Sequence, residues 1–386
     1  MPRKVVNCRL YEGGARVVAE RTTFYALPAN ADLSDRARAH CLEHLSGPDA
    51  GRRVTVPDVG LIIGRLAPAD LILPEADVSR SHCRLTRHAG GLVVTDLGST
   101  NGTFVDEVRI TGSVTLPVGA VLRVGTRILK HELLTESQLR KSEEMGRDIA
   151  TAAAYVKALL PPPLTEGPIR TDWCYVPSTE LGGDAFGYGY LDADRFAFYV
   201  IDVSGHGAGA ALHAVGVMNV LRQRTLPGAD MADPSSVLAA LNALFPMEQH
   251  ADMYFTIWYA VYDLPTRQLT YAAAGHHPAY LSPPWGDQAA PLPAKNPIIG
   301  AIPGRQYKAE SVTLPPDALV YLFSDGVFEI ITPAGDMWNI DSFVTDLLTE
   351  PRDISGESQR IFQAVRAKSR TSELDDDFSL VIVQLI

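Results

Sequence analysis

At 386 residues, with 46% hydrophobic and 20% charged side chains, the chain is long enough for two or three globular domains with ordinary cores. A formal net charge of −11 opposes nonspecific binding to nucleic acid or acidic membranes, while leaving room for a local basic pocket. No apolar run approaches the roughly 20 residues that span a bilayer, and the start MPRKVVNCRLYEGG lacks an apolar core, so no membrane span or signal peptide is expected and the expected compartment is the cytoplasm.

Residues 1–40 form an extension without assignment: Val17–Ala26 suits a strand, and Leu33–His44 a short helix or extended chain. Cys8, Cys41, Cys83 and Cys174 show no C-x-x-C or Cys/His metal spacing and read as reduced, mostly buried small side chains. From Cys41 onward, short strand-like runs are separated by GPDAG, GRLAPAD, HAGG, GSTNG and PVGA, the pattern of a β-sandwich with functional loops.

Within those loops stand Gly64-Arg65, then Val78-Ser79-Arg80-Ser81-His82, then Gly98-Ser99-Thr100-Asn101-Gly102-Thr103. In order and spacing, over residues 41–134, this set resembles forkhead-associated (FHA) domains, all-β sandwiches that bind phosphothreonine peptides. The residue types suit that chemistry. Arg65 can pair with phosphate through two charge-assisted hydrogen bonds, Ser79 can donate a hydroxyl hydrogen, Arg80 adds positive charge, and Thr100 and Asn101 occupy a turn that can grip a peptide backbone. The resemblance implies phosphopeptide contacts from these five residues, with His82 bracing the Ser79 loop. A surface arginine taken alone is ordinarily just solvated, so the pattern rather than the residue type supports phosphate recognition. Such a domain recruits a phosphothreonine-containing protein or a cognate Ser/Thr kinase; it does not catalyse.

Residues 135–163 read as a connector. Glu136–Leu160 contains one glycine, Gly146, and no proline before Pro161-Pro162-Pro163, which predicts one helix of about seven turns. Ser142, Ile149 and Val156 share one heptad position, and Met145, Ala152 and Leu159 the other. That weak seam leaves open both a homodimer through the helix and packing on the following domain.

In residues 164–386, Asp184 and Asp202 stand at the ends of strand-like runs beside glycines, the buried run Ala318–Phe323 ends in Ser324-Asp325-Gly326, and Asp375-Asp376-Asp377 leads into the apolar run to Ile386. Any one of these acids could be a turn former. As a set they can converge on one edge of a β core, and oxygen ligands suit Mg2+ or Mn2+ better than zinc.

The ordered pieces LLPPP (from Leu159), LGGD (from Leu181), DVSGHGAGAAL (from Asp202), AGHHPAYL (from Ala274), IGAIPG (from Ile299), YLFSDGVFE (from Tyr321) and DDFSLVIV (from Asp376) resemble the bacterial branch of the PPM metal-dependent protein serine/threonine phosphatases, similar to regulators of stress and sporulation sigma factors. The resemblance implies a multidomain chain: an FHA sandwich joined by a helix to an α+β domain of α-β-β-α layers. It also implies two divalent cations, Mn2+ or Mg2+, bridged by Asp202, with Asp184, Asp325, Asp376 and the Val203 carbonyl completing their shells directly or through water, and Asp202 and Asp184 as the catalytic carboxylates. Water activated between the cations would hydrolyse phosphoserine or phosphothreonine without a protein nucleophile. Ser204 and His206 lack an identifiable orienting acid and do not make a Ser-His pair. His206 reads as packed within its turn, and His276 and His277 as rim residues that orient a loop.

Two departures stand out: Gly187, where many relatives carry another acid, and the absence of a recognisable phosphate-binding arginine near these motifs. Pro283–Pro303 is expected to form a mobile loop over or beside the site. The leading reading is a phosphothreonine-recruited phosphatase acting on a phosphoprotein such as an anti-sigma factor antagonist. The alternative is a noncatalytic phosphopeptide-binding scaffold with a degenerate phosphatase domain.

Overall fold

The computed structural model describes residues 38–47, 49–88, 91–205, 207–282, 289–348, 354–370, 374 and 376–386. The expectations for residues 1–37, for His206, for 283–288 and for Asp375 lie outside these. Arg38–His44 is a strand rather than a helix, and it pairs along its whole length with Arg127–Thr135, from Arg38 opposite Thr135 to His44 opposite Leu129.

Two sheets build the amino-terminal sandwich. One runs in the order Arg53–Thr55, Arg38–His44, Arg127–Thr135, Val121–Val124, Thr103–Val105, Val108–Arg109; the other in the order Leu71–Ile72, Leu61–Gly64, Cys83–His88, Gly91–Asp96, Ser113–Leu116. Alternate residues of each strand point inward, as the two-residue pleat requires. Leu122 and Val124 from one sheet therefore meet Leu85 and Val94 from the other in a closed apolar core. The loops carrying Arg65, Ser79 and Thr100 leave this rigid frame at strand ends.

Helix Glu136–Leu159 follows the last strand without a break. Thr135 caps it and Gln138 reaches back to the cap, a reciprocal box that satisfies two otherwise orphaned amides. Arg53 ties the helix to the sandwich through the Ser142 hydroxyl (2.9 Å) while also pairing with Glu43 and Glu132. At the other end, Trp173 and Tyr188 donate to the Pro161 and Pro162 carbonyls. Between these anchors no helix residue is buried. Ser142, Ile149 and Val156 are half-covered, whereas Met145 and Ala152 from the other heptad position are exposed.

The carboxy-terminal domain stacks two five-stranded antiparallel sheets. One has the order Ile169–Val176, Phe378–Leu385, Ala318–Phe323, Ala279–Ser282, Ala290–Leu292; the other has the order Asp184–Tyr190, Arg195–Val203, Phe255–Asp263, Gln268–Ala274, Glu310–Thr313. Helices Ala208–Gln223 and Pro234–Leu244 cover the second sheet, and helix Glu357–Lys368 packs on the first, giving α-β-β-α layers. Strands buried on both faces cannot alternate in polarity. ALVYLF and FSLVIVQL accordingly read as continuous apolar runs.

The described part of the proline-rich segment is not a free loop. Asn296 donates to the Ala273 and Lys308 carbonyls, Ile299 N bonds to Phe255 O, and Gly300 N to the Asn242 side chain. Its prolines interrupt ladder bonding, but side-chain amides replace the missing bonds and pin the chain.

Candidate functional site

The carboxylates meet where the two sheets of the carboxy-terminal domain present their strand ends. Asp184 and Asp202 are direct partners across the antiparallel pair Asp184–Tyr190 and Arg195–Val203. Side chains so opposed stand about 5 Å apart on one face, and two like charges there repel. Asp202 and Val203 line a cavity of about 600 Å3 together with Asp325, Asp376, Asp377, Ser178, Thr179, Ser204, Tyr254 and Thr256. Asp184 is buried and its Oδ2 has no hydrogen-bond partner.

The electrostatics follow from that crowding. Burial, then the charges of Asp202 and Asp377, push the Asp184 carboxyl well above the ordinary value. Burial followed by Asp325, Asp376, Asp377 and Glu329 raises Asp202 to about 7. Asp325 is raised by burial and by Glu329. No lysine or arginine stands among the described residues lining the cavity, so a phosphate dianion entering it alone would be repelled. The donor set is all oxygen, carries surplus negative charge and holds an orphaned buried oxygen, which fits hard divalent cations. Among the described residues, no three acidic, histidine or cysteine side chains are drawn together tightly enough to hold an ion by themselves; the carboxylates ring the cavity instead of meeting at a point.

Asp377, the third acid of its run, does a different job from Asp376. Its Oδ1 accepts from the Ser178 amide (2.7 Å) and hydroxyl (2.9 Å), and its Oδ2 from the Gly183 amide (2.6 Å). It thereby fastens the turn before Asp184 to the carboxy-terminal strand. The turn has no room for larger residues: a Cβ on Gly182 would lie 2.5 Å from Asp377 Oδ2, and one on Gly326 2.3 Å from the Asp377 carbonyl. Ser324 completes the clasp, donating to the Asp377 carbonyl and accepting from the Ser379 amide. Ser204 is occupied as well, its hydroxyl accepting from the Tyr254 amide (3.1 Å). His276 and His277 are packed inward rather than set on the rim: His276 is 8% exposed and its ring contacts that of His277.

Gly187 does not contribute to this cavity. It lines a separate, largely apolar space of about 70 Å3 with Leu159, Pro161 and Tyr199, and a Cβ there would lie 2.3 Å from the Tyr199 hydroxyl.

At the sandwich loops, Ser79 Oγ accepts from the Thr100 amide (3.0 Å), Asn101 donates to the Asp77 carbonyl (2.7 Å), and the Arg65 amide donates to the Ser79 carbonyl. Arg65, Ser79, Thr100 and Asn101 are thus held in one cluster, with Arg80 exposed next to Ser79. Arg65 Nε is buried without a partner. His82 braces the cluster, accepting from the Ser79 amide and bonding to the Gly102 carbonyl. Asp96 was not singled out from sequence, yet it organises the Gly98–Thr103 turn: it accepts from Gly98, Ser99 and Thr103. Burial opposes its charge, but these hydrogen bonds outweigh burial and hold the carboxyl below its ordinary range.

Comparison with known proteins agrees with both halves. The family "Stage II sporulation protein E (SpoIIE)" matches residues 192–386, and the FHA domain family matches residues 61–125. Phosphoserine phosphatase RsbP of Bacillus subtilis is 26% identical over 245 residues, covering 62% of this chain and 58% of that protein. FHA domain-containing protein FhaB of Mycolicibacterium smegmatis is 36% identical over 101 residues, covering 25% of this chain and 65% of that protein. The chain thus spans about three fifths of the length of these curated relatives. The solved SiaA-PP2C domain of Pseudomonas aeruginosa superposes with a TM-score of 0.55 at 18% identity, covering 64% of this chain and 99% of that one, a likeness of fold.

Proposed function

This chain belongs to the SpoIIE family, with an FHA domain preceding its PPM phosphatase domain, and from that premise we propose that it is a metal-dependent protein serine/threonine phosphatase recruited to its substrates through phosphothreonine. In this reading Asp184, Asp202, Asp325, Asp376 and the Val203 carbonyl hold two divalent cations, Mn2+ or Mg2+. Bound cations would supply an acidic water and neutralise phosphoryl oxygens. The chain's own residues do the rest. Asp377 and Ser324 fix the turns that carry Asp184 and Asp325, Gly182 and Gly326 let those turns approach, and the activated water makes a side-chain nucleophile unnecessary, with Ser204 bonded to the Tyr254 amide instead.

Arg65, Ser79, Arg80, Thr100 and Asn101 capture a phosphothreonine on a partner protein or cognate kinase. Tethering then raises the effective concentration of nearby phosphoserine or phosphothreonine at the cavity. A phosphorylated anti-sigma factor antagonist is a substrate of the right kind, and a homodimer through the half-covered stripe of the connecting helix is compatible with recruitment in the cytoplasm.

The observation that carries the reading is the Asp184–Asp202 pair, directly opposed, with Asp184 buried and its Oδ2 unpaired while Asp202 faces the cavity; a decayed scaffold has no reason to retain such repulsion. The test is hydrolysis of a phosphothreonine peptide and of a small aryl phosphate with Mn2+ or Mg2+. Turnover that disappears in Asp202→Ala, and persists on the aryl phosphate in Arg65→Ala, is expected. No turnover with either metal by a folded chain that binds phosphopeptide would establish the scaffold.

A further inference from the structure

Thr256 lies on the central strand Phe255–Asp263, directly opposite Asp202, and shares the cavity wall with it. A hydroxyl so close to carboxylates ordinarily donates its hydrogen to one of them. Here it is turned elsewhere: Thr256 Oγ1 is 2.8 Å from His276 Nδ1. His276 Nε2 in turn lies 3.0 Å from the Phe323 carbonyl. A carbonyl can only accept, so Nε2 carries the imidazole hydrogen, Nδ1 presents its lone pair, and the threonine hydrogen must point at Nδ1. Burial and the neighbouring His277 hold His276 well below the ordinary imidazole value, which keeps a second hydrogen off Nδ1.

The ring is held from several sides. His277 packs on it at 4.3 Å between centroids and stacks on Phe323 at 4.7 Å. Gly275, at φ +69, turns the chain into this position, where a Cβ would strike Ile298. Phe323 is itself two residues before Asp325, so one imidazole joins the central strand of one sheet to the acid-bearing strand end of the other.

We propose that His276 is a positioning residue that fixes the Thr256 hydroxyl as a hydrogen-bond acceptor facing the cavity, where it takes one hydrogen of the attacking water. The inference rests on the phosphatase reading above. With its own hydrogen committed to His276, Thr256 Oγ1 offers only lone pairs to the cavity. A water held there by one hydrogen has a lone pair free to aim at phosphorus. The same commitment keeps the hydroxyl from donating to Asp202, whose oxygens stay available to cations. No proton is transferred to Thr256; it orients the water and keeps its hydrogen bond to His276.

The experiment uses the full chain and compares Thr256→Ser, Thr256→Val, His276→Phe and the double variant Thr256→Val/His276→Phe. It reads kcat and KM on an aryl phosphate, Mn2+ affinity by calorimetry on metal-free protein, and thermal melting. Thr256→Ser should stay within about threefold of the parent, while Thr256→Val and His276→Phe each lose about 100-fold in kcat with little change in KM. Mn2+ affinity of Thr256→Val should be unchanged. The double variant should be no slower than the worse single one, because the two residues act as a unit. Losses that multiply in the double variant, a Thr256→Val enzyme as fast as Thr256→Ser, or a Mn2+ affinity that falls in step with rate would each overturn the assignment. If His276→Phe does not fold, the Thr256→Ser and Thr256→Val pair decides alone. A parent chain without turnover under either metal removes the phosphatase reading and this inference with it; an active parent with an active Thr256→Val removes only the inference.

Discussion

The Ser79 loops of the sandwich and the carboxylate cavity of the phosphatase domain are both polar clusters set at strand ends, yet each leaves a buried atom of the opposite kind unpaired. Around Ser79, the hydroxyl, amide and imidazole groups satisfy one another, and the unpaired buried atom is a donor, Arg65 Nε. Around Asp202 the groups repel, and Asp184 Oδ2 is an unpaired buried acceptor. The sign of the unpaired atom matches the proposed ligands: an anion would satisfy the first cluster and cations the second. It also predicts different responses to mutation. The loops should lose binding and little else, whereas the cavity should lose function and gain stability.

The sharpest break in that contrast is Asp202→Asn. Turnover should fall at least about 1,000-fold, ~4 kcal/mol, since the charge that would hold the cations in the proposed mechanism is gone. In EDTA the same variant should melt at a higher temperature than the parent, because a like charge is removed from opposite Asp184. A variant that is both inactive and less stable in EDTA would mean that Asp202 is a structural acid.

Titration provides the next test. Asp202 has a folded-state value of about 7 against an ordinary 3.8, so between those limits the folded chain keeps a proton that the unfolded chain has released. Folding is then favoured at the acid end, and the contribution of this group is lost as pH rises toward 7, on the order of 4 kcal/mol across the window. Melting in EDTA at pH 5 and pH 7.5 should show the parent losing more stability than Asp202→Asn, and saturating Mn2+ should abolish the difference. Equal pH slopes for the two proteins would contradict the repulsion described for the cavity.

At the sandwich, Arg65→Ala should weaken a phosphothreonine peptide by about 100-fold, ~2.7 kcal/mol, because the charge-assisted pair is lost. Binding measured by fluorescence anisotropy, alongside aryl phosphate turnover that does not change, would keep the two sites separate. A parallel fall in turnover would join them through the connecting helix.

The parts of this molecule that could be read from sequence are those whose cause is local. Asp184, Asp202 and Asp325 are visible because a buried apolar run or a glycine turn adjoins each, and Ser79 and Thr100 because their loops are short and punctuated. Asp377 looked like its neighbours in a run of three acids; its distinct role comes from the Gly183 amide, 194 positions away in the chain. Thr256 was hidden for the same reason, since only strand register brings it opposite Asp202; His276 was visible in the letters, but as a rim residue and not as the hydrogen-bond partner of Thr256. The T-x-x-Q pattern at Thr135 is a local signal as well, a capping box that marks the helix start in the letters. In the proline-rich stretch, composition signalled missing ladder bonds, which is not the same as mobility; Asn296 and Asn242 supply the bonds that proline cannot.

Gly187 gives the smallest of these effects. Its lack of an acid suggests a weakened metal site if position alone is considered. The structure gives another cause: the space a Cβ would occupy is filled by Tyr199, whose hydroxyl would be 2.3 Å away, and the residue borders the apolar cavity rather than the carboxylates. Gly187→Ala and Gly187→Asp should therefore both destabilise the domain, by about 1–3 kcal/mol from overpacking, and Gly187→Asp should leave Mn2+ affinity where it was. Denaturant melts and calorimetry on the two variants measure this directly. If Gly187→Asp instead tightens Mn2+ without loss of stability, the cavity extends along the Asp184 strand farther than its lining residues indicate, and the acid's absence is a feature of metal binding after all.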